Sequence, residues 1–259
     1  MPGGHWPPFS AVRCCIGKTI FVLPQGQILF CESNTLAYKS LIYIPKFRIL
    51  YLLMDVEKLI QHYPLISDQV NKEQVKTILE LLVKTIERGI DGDVVEFGCY
   101  IGTTSIFIQR VLQALAPERT LHVYDSFTGL PPKTAEDNSP AGFDFAEGAL
   151  MVSKKMFQQT FLKAHVPLPV IHKGWFSDLT PDDVPAHIAF AFLDGDFYRS
   201  IYDSLKLVLP RMAAGGCIVV DDYAREALPG AARAVHELMP GAQVRVRHNL
   251  GIIELAPLK

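Results

Sequence analysis

Beyond Gly92 the chain alternates between short apolar runs and amphipathic stretches. That alternation limits its fold more than any other feature. The apolar runs are DVVEFG, LHVYD, PVIH, IAFAFLD and GGCIVVD. The stretches TTSIFIQRVLQAL, VSKKMFQQTFLKA, YRSIYDSLKLVL and GAARAVHELM read as helices between and after them. Runs such as IAFAFL and CIVV are apolar on both faces, as strands inside a parallel sheet are. The order predicts an α/β fold with a doubly wound, mostly parallel sheet. The end, QVRVRHNLGIIELA, reads as a hairpin, and residues 126–149 read as a long loop. Ahead of the first strand, Val75, Ile78, Leu79, Leu82 and Ile86 fall at helical spacing, with Asn71 placed to cap that helix and Gly89 to end it.

Residues 1–68 show no clean period, and Pro and Gly are frequent at their start. They are expected to form an N-terminal extension or lid, partly irregular and partly helical, ahead of a catalytic-type domain at 69–259. Their apolar character leaves room for a homodimer contact. The most apolar window, LIYIPKFRILYLLM, is too short to span a bilayer and is interrupted by Pro45, Lys46 and Arg48. The first residues lack the charged-then-apolar layout of a signal peptide. A net charge of −2 gives no basis for expecting nucleic acid or an anionic membrane as partner. Five cysteines, none in a C-x-x-C pair, fit a reducing compartment better than a disulfide framework. A soluble, cytoplasmic protein is the expectation.

Two of the apolar runs end in paired acids: Asp194 and Asp196 in FLDGDF, Asp221 and Asp222 in VVDDY. Ionised groups are costly to bury without a partner. If the two strands are neighbours, Asp194, Asp221 and Asp222 converge into an all-oxygen donor set. Mg²⁺ suits such a set best, with Ca²⁺ or Mn²⁺ as alternatives. The competing reading is that these acids cap the following helices or pair with Arg199 and Arg225. Asp196 is a candidate general base for a substrate hydroxyl, or else it holds Tyr198 and the next helix in place.

The first strand leads into VVEFGCYIGTTS, where Glu96 ends the strand and Gly98 and Gly102 flank a turn into a helix. A helix N-terminus behind a glycine turn favours an anion. The spacing is G-x-x-x-G, not the G-x-G-x-x-G of pyrophosphate binders. The carboxylate and ammonium of an amino acid suit the turn amides and Glu96 better. Asp125, at the end of the next strand, can accept hydrogen bonds from ribose hydroxyls; as Asp-Ser it can also simply cap a turn. Gly174, Trp175 and Phe176 follow the third strand, where an aromatic face can stack on adenine or pack on the sheet edge.

Together VVEFGCYIGTTS, VYDSFTGLP, KGWFSDLTP, FLDGDFYRSIYDSL and GGCIVVDDY resemble the macrocin O-methyltransferase (TylF-type) family, from about residue 70 to 240. The resemblance implies a class I methyltransferase fold with a Rossmann-like seven-stranded sheet. It implies an enzyme that uses S-adenosylmethionine and Mg²⁺ to methylate a hydroxyl of a small molecule, a sugar on a natural product. On the matching positions it implies donor contacts at Glu96, Gly98, Tyr100, Gly102, Thr103, Asp125, Ser126, Gly174, Trp175 and Asp194. The metal ligands it implies are Asp194, Asp221 and Asp222, with Asp194 and Asp196 at the chemistry. Where the family pattern has a second glycine after Gly102, this chain has Thr103.

Three other readings stand beside it. FLDGDF also resembles the D-x-D strand of haloacid-dehalogenase-type phosphatases, which place it on the first strand of the sheet; here three strands precede it. A glycosyltransferase could use D-G-D to hold a metal and a nucleotide diphosphate, but it has no use for the Glu96 turn. A methyltransferase-like subunit that binds the nucleoside without turnover would carry the same acids.

Overall fold

A computed structural model describes residues 55–141 and 145–257, together with the backbone of four earlier strands. Those strands are β1 (Ser10–Arg13), β2 (Thr19–Val22), β3 (Gln27–Cys31) and β4 (Ile42–Tyr43), paired antiparallel in that order. The chain divides into two compact units, residues 1–55 and 56–259, ahead of the 68/69 boundary drawn from sequence. The extension is expected to be partly irregular and partly helical. Its described elements are these strands and one short helix, α1 (Val56–His62), with irregular backbone at 63–68. Segments such as TIFV and QILFC are rich in the β-branched and aromatic residues that strands favour. They are too short to show a period from sequence. Cys14, Cys15 and most of the apolar window 41–54 lie outside the described residues.

The second unit is the expected doubly wound sheet. Helix α2 (Lys72–Glu87) precedes β5 (Asp93–Phe97), α3 (Thr103–Leu115) and β6 (Leu121–Asp125). Next come α4 (Lys154–Ala164), β7 (Val170–Lys173), β8 (Ile188–Leu193) and α5 (Tyr198–Val208). The last elements are β9 (Met212–Val220), α6 (Pro229–Leu238), β10 (Arg245–Arg247) and β11 (Leu250–Glu254). The seven strands run β10-β11-β9-β8-β5-β6-β7, parallel from β9 to β7, with the terminal hairpin antiparallel.

All six residues of β8 are buried, as its unbroken apolar run predicted. Helix α2 buries the five apolar positions read from its spacing. Asn71 caps it in a reciprocal box with Gln74, and Gly89 follows it at φ +65°. Of the cysteines, Cys99 and Cys217 are free and buried. No helix among the described residues is long and apolar enough to cross a membrane.

The chain winds outward from β5 through β6 to β7, then returns to the other side of β5 to form β8. The switch point lies between β5 and β8, where open α/β sheets bind their ligands. Register sets the strand ends level there. Phe97 pairs with Tyr124 on one side and Leu193 on the other, and Leu193 pairs with Val220. Gly98, Asp125, Asp194 and Asp221, each one residue further on, therefore stand in one row.

Candidate active site

Backbone hydrogen bonds tie that row together. The Asp194 N–H donates to the Phe97 carbonyl (2.7 Å), the Asp221 N–H to Leu193 (2.8 Å) and the Gly98 N–H to Tyr124 (2.8 Å). Gly98 has φ +85°, and a Cβ there would overlap the Asp194 carbonyl oxygen. Only glycine lets the two central strand ends approach this closely. Tyr100, Leu150, Asp196 and Asp222 also hold positive φ, between 46° and 59°. All four line one solvent-open cleft of about 940 Å³ above the row. Non-glycine residues in this conformation cost on the order of 1–3 kcal/mol each and cluster at functional sites.

The cleft wall includes Gly98, Tyr100, Asp125, Ser126, Trp175, Asp194, Asp196, Asp221 and Asp222, nine of the positions picked from sequence. Glu96, Gly102, Thr103 and Gly174 are not part of that wall. Gly174 serves the sheet, donating its N–H to the Asp125 carbonyl. Trp175, on that wall, is 38% exposed.

Below the wall, Glu96 is 1% exposed. Burial pushes its carboxyl up to about 8, with Asp125 adding to the rise. The Ser105 hydroxyl opposes it without meeting hydrogen-bond geometry. Helix α3 begins at Gly102 with no side-chain cap. At its head Glu96 Oε2, Thr103 Oγ1 and Ser105 Oγ are buried without a hydrogen-bond partner. Orphaned polar atoms of this kind are rare in folded proteins and call for a ligand, water or ion.

Asp125 is more occupied than its sequence context suggested. Its Oδ2 accepts from the Cys99 and Tyr100 N–H groups (3.0 and 3.2 Å), and its Oδ1 from Phe127 N–H (2.7 Å). The Cys99 thiol also donates to Oδ2 at 3.6 Å, so Oδ2 is fully engaged and the open acceptor position is the second one on Oδ1. The turn-cap reading of Asp125 is observed, and it leaves space for the ligand-acceptor reading beside it. The Cys99 and Tyr100 amides are spent on Asp125, which leaves the uncapped start of α3 as the anion-facing part of the turn.

On the other side of the switch point the four acids gather. Asp221 and Asp222 are each 5% exposed. Burial, then Asp221, Asp196 and Asp222, drive the Asp194 carboxyl far above the usual range. Burial, then Asp222 and Asp221, push Asp196 up to about 8. Burial and Asp222 push Asp221 to about 7. Asp222 is raised by burial and held back by Arg225, whose Nη1 lies 3.2 Å from Oδ1. The expected pairing with Arg225 is therefore present, while Arg199 pairs with Asp203 instead (2.8 Å). One cation against four carboxyls leaves the cluster short of positive charge. Its all-oxygen, acid-rich chemistry fits a hard divalent ion. Among the described residues, though, no three acid, His or Cys side chains are already arranged around a single point as metal ligands.

Three contributors gave no sequence signal of their part in the site. Gln74 of α2 donates from Nε2 to Asp221 Oδ1 (3.2 Å). Asp137, in the long loop, takes the place proposed for Asp196 at the start of α5: its Oδ1 accepts the Tyr198 N–H (2.6 Å). Phe145 of the same loop lies under the Arg225 guanidinium, 5.0 Å from the ring centre. All three contacts join residues far apart in sequence.

Comparison with known proteins places this arrangement. The sequence profile of the macrocin-O-methyltransferase (TylF) family matches residues 62–253. The chain is 33% identical over 156 residues to the 8-demethyl-8-(2,3-dimethoxy-alpha-L-rhamnosyl)-tetracenomycin-C 4'-O-methyltransferase of Streptomyces olivaceus, a match covering 58% of this chain and 60% of that protein. It is 28% identical over 211 residues to the mycinamicin III 3''-O-methyltransferase of Micromonospora griseorubida, covering 75% of this chain and 78% of that one. Among solved structures, the O-methyltransferase NovP superposes with a TM-score of 0.63 at 25% identity, over 72% of this chain and 81% of that chain. The calicheamicin methyltransferase CalS11 shares the fold, with a TM-score of 0.58 at 18% identity over 86% of this chain and 99% of that chain.

Proposed function

The chain belongs to the macrocin-O-methyltransferase (TylF) family, and from that premise we propose that it moves a methyl group from S-adenosylmethionine to a hydroxyl of a sugar on a small natural product, with Mg²⁺ assistance. The observation that carries the reading is the set of unpartnered polar atoms at the head of α3, Glu96 Oε2, Thr103 Oγ1 and Ser105 Oγ, across the switch point from the four acids. An amino acid's ammonium supplies the missing partner for Glu96, and its carboxylate suits the uncapped helix start. Trp175 offers a stacking face for the adenine, and the remaining acceptor position on Asp125, with Ser126 beside it, serves the ribose.

Asp194, Asp221 and Asp222 would hold the Mg²⁺, which on binding lowers the pKa of a bound hydroxyl. The chain's own part is positioning and proton transfer. An acceptor hydroxyl held on the acid side of the cleft would stand opposite the sulfonium, in line for displacement. As the new C–O bond forms and the C–S bond breaks, the hydroxyl proton passes to Asp196. Asp196 lines the same cleft wall as Asp194 and Asp222; burial and carboxylate repulsion raise it, and a bound cation would offset the repulsion, leaving it ionised to accept the proton. The sugar-modifying names of the relatives support the choice of acceptor class.

The test is transfer of labelled methyl from S-adenosylmethionine to a panel of glycosylated natural products, with and without chelator. Transfer that needs Mg²⁺, and that Asp221→Ala abolishes while S-adenosylhomocysteine still binds, is the expected result. Full wild-type turnover in chelator would remove the metal from the mechanism.

A further inference from the structure

Gln74 carries two duties with one side chain. It is the third residue of α2, where its Oε1 accepts the Asn71 N–H (3.1 Å) and its N–H donates to Asn71 Oδ1 (3.0 Å), the two halves of a capping box. The cap uses only the side-chain oxygen, so Glu would serve equally well there. The second duty discriminates. Gln74 Nε2 donates to Asp221 Oδ1 at 3.2 Å, a buried contact between residues 147 apart in sequence. A carboxylate at that position would set acceptor against acceptor and add negative charge to a cluster already short of cations. Only the amide satisfies both ends, and at 7% exposure Gln74 leaves neither polar end to bulk water.

On Asp221 the two donors fall on one oxygen. Oδ1 takes both Gln74 Nε2 and the N–H of Asp222 (2.9 Å). Two donors on one carboxylate oxygen fix its rotation and leave Oδ2 available to another partner. Outer hydrogen bonds of this kind orient ligating carboxylates, and their loss weakens metal affinity about 10–100-fold.

We propose that Gln74 is a positioning residue that sets the Asp221 carboxylate for a divalent cation and anchors the start of α2 to the cation site. This rests on the reading of Asp194, Asp221 and Asp222 as that site. Sequence reading passes over Gln74, because its local role as a cap is sufficient to explain it.

The experiment is calorimetric titration of Mn²⁺ into the full chain saturated with S-adenosylhomocysteine, for wild type, Gln74→Met and Asn71→Ala. Asn71→Ala removes the other half of the cap without touching Asp221. Gln74→Met is expected to bind Mn²⁺ at least about tenfold more weakly, with unchanged affinity for S-adenosylhomocysteine. Asn71→Ala is expected to lower the melting temperature and leave the Mn²⁺ affinity as it was. Equal affinity in Gln74→Met and wild type overturns the proposal. So does an equal loss in Asn71→Ala, which would mean that the helix start alone matters. Should Gln74→Met fail to fold, Gln74→Ala carries the same comparison, because the Asn71 cap uses the backbone N–H of residue 74. Absence of Mn²⁺ binding by wild type would remove the cation site itself, and the proposal with it.

Discussion

Glu96 is buried, which raises its carboxyl to about 8 and favours the protonated form near neutrality, and its Oε2 has no hydrogen-bond partner. A bound ammonium reverses that state, because a nearby positive charge favours the carboxylate. Binding of S-adenosylhomocysteine at pH 7 is therefore expected to release a proton from Glu96. Affinity should rise with pH up to about 8, since Glu96 then no longer has to be deprotonated on binding. Titrations in buffers of different ionisation enthalpy read the proton directly, and Glu96→Gln should abolish both the release and the rise. An unchanged pH profile in that variant would take Glu96 out of the donor site. The type and strand-end position of Glu96 were legible in the sequence, as were those of Asp125 and the four acids. What each touches was not. Asp125 proved to be both turn cap and candidate ligand acceptor, because one carboxylate has room for more partners than a single role assigns to it.

At the scale of elements, the start of α5 matters most, since it follows directly on Asp194 and Asp196. Phe197 offers that helix no side-chain cap. Its first N–H is satisfied instead by Asp137, whose other oxygen accepts the N–H and hydroxyl of Thr134 (both 2.9 Å). Asp137 is fully buried and packs against Gly230 at the start of α6, where any Cβ would overlap its Oδ1. The long loop is thereby fastened across two helices. Asp137→Ala should cost about 2–3 kcal/mol, the scale of hydrogen bonds to a charged group. Denaturant titration measures it, and proteolysis should then cut within residues 126–149 before the rest of the domain. A loss under about 0.5 kcal/mol, the size of an ordinary surface change, would contradict this account of the loop. Helices and strands were readable because their signals are local: a 3.6-residue period in α2, an unbroken apolar run in β8. The loop's fastening was not, because Asp137 and Tyr198 lie 61 residues apart and neither has a telling neighbour. The N-terminal strands escaped for a related reason. At two to five residues each they are too short to show a period.

At the scale of the molecule, one topological fact organises the site. The chain reverses its direction of winding between β5 and β8, and sheet register then brings Gly98, Asp125, Asp194 and Asp221 onto one row. Unpartnered polar atoms lie to one side of that row and the four clustered carboxyls to the other, the two halves to which the proposed donor and acceptor are assigned. The order of strands could be expected from the alternation of elements, but the level ends could not, because register depends on pairings no single strand specifies. The account's central claim is that this switch point holds S-adenosylmethionine. Its most direct test is calorimetric titration of S-adenosylhomocysteine into wild type and Asp125→Ala, with folding of the variant checked by circular dichroism. Micromolar, one-to-one binding to wild type that is lost in the folded variant is the predicted result; no binding to wild type, or undiminished binding to Asp125→Ala, would contradict it.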